Sequence, residues 1–235
     1  MSSLYKNPPL VEAVFEIRFP AELSIECQRD KFYEKIRKDY PQIFVPIVMG
    51  ESPALKSYKF GSLDGKKVVM CSINTFSVHT NKYEGFAKFE EECLKHIQLF
   101  IKLYNITSLK RTGLRYINHI PIIRIEGCIP IERYLKFGYH LPRNLESDKF
   151  EFFQTNLVVR IGDGKLRLLT QYFEVPSPPK KEFILLDFDY YYEGKLRTDK
   201  ISNYLKKSHE QTKKIFEDVI SDEYKVVMDT EPIGG

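Results

Sequence analysis

The chain has no tryptophan, four cysteines in 235 residues and a net charge of only +4. These scarcities narrow the classes of protein to consider. Cys27, Cys71, Cys93 and Cys128 are scattered, with no C-x-x-C pair and no nearby H-x-x-x-H. Neither a disulfide framework nor a zinc site is expected; they read as buried free thiols. A charge of +4, from 36 basic against 32 acidic residues, neither demands nor excludes a polyanionic partner. Nucleic acid is not favoured as a partner. No apolar run approaches the ~18 residues of a membrane span, and Met1 to Lys6 shows no basic segment leading into an apolar one. The expectation is a cytoplasmic protein without a membrane partner. Phosphate-binding glycine loops are lacking too, because Gly162-Asp163-Gly164-Lys165 lies between strand-like runs and such a loop must open a helix. No serine occupies a G-x-S-x-G elbow, and His79, His96, His119, His140 and His209 show neither triad order nor metal spacing. Hydrolase and kinase readings lose their usual supports, and no metal is expected.

What is present is an ordinary globular balance, 43% hydrophobic and 29% charged, which argues against disorder. Fifteen Tyr and 17 Phe supply every aromatic ring, so they must fill much of the core. After Asn7-Pro8-Pro9, Leu10 to Phe19 alternates, with Ala13, Phe15, Ile17 and Phe19 on one face and Glu12, Val14, Glu16 and Arg18 on the other. Ser24 can cap a helix over Ile25 to Lys38. Asp64-Gly65, between Ser57 to Ser62 and Lys66 to Ile73, suggests a hairpin with a primed turn. Thr75 to His79 continues as strand. From Tyr83 the period becomes helical, with Phe86, Phe89, Cys93, Ile97, Phe100 and Tyr104 in one stripe.

The second half repeats this order. Arg111 to Ile120 is a strand, Ile131 to Leu135 a short helix, and Gly138 to Lys149 a polar loop. Asp163-Gly164 joins Phe152 to Gly162 with Lys165 to Val175, Phe183 to Tyr192 is a strand, and Asp199 to Ile220 is a second long helix. The expected fold is therefore α+β, with residues 1–106 and 107–235 as duplicated halves. Each would be a curved antiparallel sheet packed on a long helix, by analogy with helix-grip and TATA-binding-protein-like plans.

Two segments, Asn7-Pro8-Pro9-Leu10-Val11-Glu12-Ala13-Val14-Phe15-Glu16-Ile17-Arg18-Phe19 and Gly113-Leu114-Arg115-Tyr116-Ile117-Asn118, carry a resemblance. The chain resembles an uncharacterised, sporadically distributed prokaryotic family from Pro8 to about Met228, through Leu185-Leu186-Asp187-Phe188-Asp189 and the helix of His209. It departs from that pattern at Phe86, where such proteins tend to carry Trp, and in the tail from Thr230 to Gly235. The resemblance implies a fold and a bacterial or archaeal origin, but no reaction.

Candidate site residues come from three polar rows. Glu12, Glu16 and Arg18 alternate on the first strand, Arg111, Arg115 and His119 on the central one, and Asp187 and Asp189 on the late strand. If these strands are neighbours, their rows interleave into a polar basin. Such a basin could hold a phosphorylated ligand, with magnesium recruited by the carboxylates; otherwise it is a solvated face of cross-strand ion pairs. Arg115 lies among apolar neighbours, so it should be at least half buried against Glu12, Glu16, Asp187 or Asp189. Lys200, Lys206, Lys207, Lys213 and Lys214 alternate with acids on the last helix and read as a solvated face. Gly234-Gly235 reads as a frayed end. The leading functional expectation is a binding or regulatory protein with no cofactor, acting on a protein partner or by self-association through an open sheet face or an inter-half cleft, in a defence or stress operon. The alternatives are an enzyme or sensor for a phosphorylated small molecule or nucleotide, and a nucleic-acid-binding protein.

Overall fold

The structure, a computed structural model, describes residues 5–46, 56–138, 152–176 and 178–230. Most of the polar loop before Lys149, His140 and the Gly234-Gly235 end lie outside the described residues. The first half contributes β1 (Leu10–Arg18), α1 (Ser24–Cys27), α2 (Arg29–Ile36), β2 (Gln42–Phe44), β3 (Tyr58–Gly61), β4 (Lys67–Cys71), β5 (Thr75–Thr80) and α3 (Phe86–Leu103). The second contributes β6 (Ser108–Pro121), β7 (Gln154–Ile161), β8 (Gly164–Val175), β9 (Lys181–Arg197), α4 (Ile201–Val219) and α5 (Asp222–Asp229). The fold is α+β, as the alternating and helical periods predict.

The nine strands of the described residues form one antiparallel sheet in the order β2-β3-β4-β5-β1-β6-β9-β8-β7. The opening strand of each half thus lies at the centre, where β1 pairs with β6 from Arg18↔Arg111 to Leu10↔Asn118 across a bulge. Counting outward from that seam, each aspartate-glycine hairpin occupies the third and fourth strands, β4 and β3 on one side and β8 and β7 on the other.

The turn chemistry differs from expectation in both hairpins. Gly65 has φ +67° and donates its N–H to Ser62 O, inside a loop longer than a two-residue primed turn. In the second hairpin Ile161 pairs directly with Gly164, so the turn residues are Gly162 and Asp163, and Gly162 holds φ +60°. A glycine at the first turn position is what a type II′ hairpin requires.

Alternation sends one row of each strand toward the helices. Phe15, Ile17, Phe76, Val78, Leu114, Ile184, Leu186 and Phe188 are all buried there. Phe100 of α3 packs against Phe19, Phe32 and Phe76, with ring centroids 5.7, 5.4 and 4.3 Å away. Ile201 and Leu205 of α4 join this first core, whereas Ile215, Phe216 and Val219 pack on the second, beside Ile184, Leu186 and Phe188. The last long helix therefore spans the seam instead of serving one half alone.

Several boundaries move for identifiable reasons. α3 begins at Phe86, not Tyr83, because Gly85 has φ +106°. Ser24 does not cap through its hydroxyl; the Glu22 carboxylate accepts its N–H at 2.9 Å instead. α5, unforeseen from the sequence, starts behind a true cap, the Ser221 hydroxyl accepting the Tyr224 N–H at 3.0 Å. The four cysteines are free, yet only Cys71 and Cys93 are buried; Cys27 is exposed and Cys128 intermediate. No helix among the described residues is long and apolar enough to cross a membrane.

Candidate functional site

The polar rows do lie on neighbouring strands, β1, β6, β9 and β8, on the face turned away from the helices. Arg115 donates from Nε and Nη2 to both oxygens of Asp187, each at 2.8 Å, and Arg167 Nη2 approaches the same carboxylate at 3.4 Å. Asp187 is 0% exposed, while the Arg115 side chain is 42% exposed and so more than half covered. Arg111 donates from Nη2 to both oxygens of Asp189, at 2.7 and 2.9 Å, and from Nη1 to Glu16 at 3.1 Å, a carboxylate it shares with Arg18 Nε at 2.7 Å. Burial raises the Asp189 carboxyl above its usual range despite the Arg111 guanidinium, and the Asp187 hydrogen bonds raise Arg115.

Gly113 explains how Arg111 reaches its partner. In register, Arg111 faces Glu193 and Arg115 faces Asp189, so Arg111 must pass over the intervening Gly113–Tyr191 pair. A Cβ on Gly113 would stand 3.1 Å from Arg111 Nη1, from Asp189 Oδ1 and from Tyr191 Cβ, and the guanidinium lies 4.4 Å from the Tyr191 ring centre. Gly113→Ala should lower stability by about 1 to 3 kcal/mol as an overpacked site. Urea unfolding checks this: an unchanged or higher midpoint would show that the crossing does not need glycine.

Glu12 and His119 stand apart from the arginine pairs. Glu12 Oε1 lies 2.9 Å from His79 Nδ1, a hydrogen bond that holds its carboxyl below the usual range, and His79 Nε2 lies 2.9 Å from Ser77 Oγ. The connectivity is that of an acid–imidazole–hydroxyl relay. Ser77, however, is buried in β5 between β1 and β4, where strand pairing consumes the surrounding backbone N–H groups. No pair of donors is left there for an oxyanion. His119 packs on Phe173 and Phe183, at 4.8 and 5.8 Å, and burial lowers its pKa. Sequence reasoning missed Arg167, His79 and Ser77, although Arg167 stands in a plainly alternating run.

On the basin's chemistry, Arg18, Arg111, Arg115 and Arg167 are matched by Glu16, Asp187 and Asp189, with Glu12 held by His79. An incoming anion must displace a carboxylate already bound to each guanidinium. Among the described residues no cluster of His, Cys, Asp and Glu has metal-binding geometry.

The opposite, helix-covered face holds a different kind of site. Where the halves meet, Leu10, Phe86, Tyr116, Phe188, Thr212 and Phe216 line a largely apolar cleft of about 150 Å³. His209 of α4 also lines it, stacked on Phe86 with centroids 3.9 Å apart and planes 4° from parallel. Tyr116 Oη lies 2.9 Å from His209 Nδ1 and 3.1 Å from Tyr83 Oη. His209 Nε2 and Thr212 Oγ1 are both buried, out of reach of the cleft, and have no hydrogen-bond partner. Native proteins seldom leave buried polar atoms unpaired. The sequence signal for the cleft is polar residues interrupting an inward stripe: Ser208 and Thr212 continue the row of Leu205 and are equally buried.

Burial pushes His209 down to about 4, with Lys213 adding to the shift. The unfolded chain takes up a proton near 6.5 while the folded chain resists until about 4, so stability is complete above 6.5 and falls as pH drops toward 4. Buried His96, also pushed to about 4, adds a second such group. His209→Gln should therefore flatten, without abolishing, the pH dependence of the urea midpoint between 6.5 and 4. An unaltered slope would place His209 in solvent.

No protein-family model matches the chain, and no curated protein is significantly similar to it.

Proposed function

We propose that this is a binding or regulatory protein that acts through the cleft at its seam. The observation that carries the reading is the largely apolar cleft itself, lined by residues of both halves and bordered by the hydrogen-bonded row of Tyr83, Tyr116 and His209. An apolar pocket with a few convergent polar groups is the form that small-ligand sites take. The cleft also joins elements of both halves, Leu10 and Phe86 from one and Phe188, His209 and Thr212 from the other, so an occupant is positioned to bias how they pack. The arginine face supports the phosphorylated-ligand alternative less well, since its guanidiniums are already held by carboxylates.

The same reading treats the halves as copies of one unit, supported by the recurring element order and the matching places of the two hairpins. It keeps the prokaryotic setting that the resemblance implies and a cytoplasmic location, with a defence or stress operon as the context. Uptake of an environment-sensitive apolar dye by the folded protein tests the site. Dye binding should be strong in the native chain and lost in Thr212→Trp, which fills the cleft, with both chains equally folded by circular dichroism. Equal uptake by both would move binding elsewhere.

A further inference from the structure

We infer that β7 is an edge for self-association, and that two copies of this chain pair β7 against β7, antiparallel, about a two-fold axis through Val158. The surface lies at one end of the sheet, well away from the seam cleft.

The backbone of β7 is half used. The strand is the outermost on its side, with β8 as its one neighbour among the described residues. Ile161 and Gly164 flank a two-residue turn, and a turn of that kind closes on a hydrogen-bonded pair. Bonding alternates along an antiparallel ladder, so Ile161, Val159 and Leu157 direct their amides and carbonyls to β8. Asn156, Val158 and Arg160 direct theirs outward, where a further strand can bond to them.

The side chains favour such a strand over water. Leu157, Val158 and Val159 are consecutive, apolar and 51, 57 and 45% exposed. β7 also lacks the usual protections of a free edge, having no proline, no acidic residue and a single charge, Arg160, in eight residues. The opposite edge of the sheet has them: β2 is three residues long and stands between Pro41 and Pro46, which carry no N–H for a ladder. Growth by edge pairing is therefore open on one side only, and a two-fold pair closes it.

The match of β7 to itself identifies the occupant as a second copy. With Val158 opposite Val158, the outward residues fall into hydrogen-bonded pairs, Val158 with Val158 and Asn156 with Arg160, which is the alternation the free backbone groups require. Leu157 then stands opposite Val159 twice, on the face of buried Leu166 and Leu168. Arg160 meets a neutral amide. An axis through Arg160 would instead oppose two like charges, and one through Asn156 would set Val158 against Gln154.

Sedimentation velocity of the full chain tests this. An eight-residue strand pair is a small interface, so the expected dimer has a dissociation constant of roughly 1 to 100 µM, and the chain is followed up to about 500 µM. Val158→Lys and Val158→Glu each place like charges across the axis and should each stay monomeric, with native circular dichroism because Val158 is exposed. An equimolar mixture of the two should restore a dimer, since lysine then faces glutamate. Asn156→Asp, which meets Arg160 of the other copy at two places, should tighten the native dimer by roughly 2- to 30-fold. A native chain that remains monomeric, species larger than a dimer, a dimer indifferent to both charges at position 158, or a mixture that stays monomeric would each overturn the proposal. Should either charge variant lose its native spectrum, Asn156→Asp decides, and an unchanged dissociation constant there overturns the pairing.

Discussion

Replacing Arg115 with Leu is expected to destabilise the protein more than replacing Asp187 with Leu, although the two form one ion pair. The asymmetry follows from where each charge lies. Asp187 is 0% exposed and is paired with Arg115 and, more distantly, Arg167; the side chains of those arginines are 42% and 36% exposed. Removing Arg115 leaves a buried carboxylate with one partner at 3.4 Å. Stranding a buried charge costs about 3 to 5 kcal/mol, and the remaining arginine and the partial exposure of the pair put Arg115→Leu at or below the lower end of that range. Removing Asp187 strands no buried charge, because both guanidiniums can turn to water, and a leucine there would cost about 1 kcal/mol or less. Paired urea curves for the two variants decide it. Equal losses, or a larger loss for Asp187→Leu, would mean that the carboxylate is not the desolvated partner.

Phe100→Ala should be the most damaging single truncation in the first half, at about 3 to 5 kcal/mol. Its ring is fully buried and touches Phe19, Phe32, Phe76 and Tyr104, so it ties α3 to α2, β5 and the residue that follows β1 at one point. Rigid neighbouring rings cannot collapse into the space, which favours the upper part of the range. Against a typical stability of roughly 5 to 15 kcal/mol, that is enough to populate unfolded chain on mild heating. A loss under about 1 kcal/mol in chemical denaturation would show that the core around α3 repacks freely.

The legible parts of this structure are those set by short-range periodicity. Alternation in Leu10 to Phe19 and Arg111 to Ile120 placed Glu16, Arg18, Arg111 and Arg115 on one face, and the placement of Asp187 and Asp189 on a flanking strand holds. Register was not legible. The diagonal reach of Arg115 to Asp187, and the passage of Arg111 over Gly113, depend on which residues of β6 and β9 stand opposite, and that is settled by packing along both strands. His119 shared the period of the arginines but sits two pairs farther along, among Phe173 and Phe183, outside the charged lattice. The cleft was harder still. Tyr116 and His209 meet across 93 positions of sequence, and local pattern carries no information about such a contact. The second turn was misjudged because Gly162-Asp163 and Asp163-Gly164 overlap within three residues, and one step of register chooses between them.

The central pairing of β1 with β6 sets an order of events for a chain made from its N-terminus. β1 finds β5 within the first 80 residues, but its other edge has no partner until β6, nearly a hundred residues after β1, has been synthesised. A nascent first half therefore presents β1 as a bare sheet edge, with Val14 between Glu12 and Glu16 on its outer face. Acidic side chains on an open edge discourage pairing with a neighbouring chain. The carboxylates that later anchor Arg111 and His79 thus also guard the growing polypeptide until its own second half arrives.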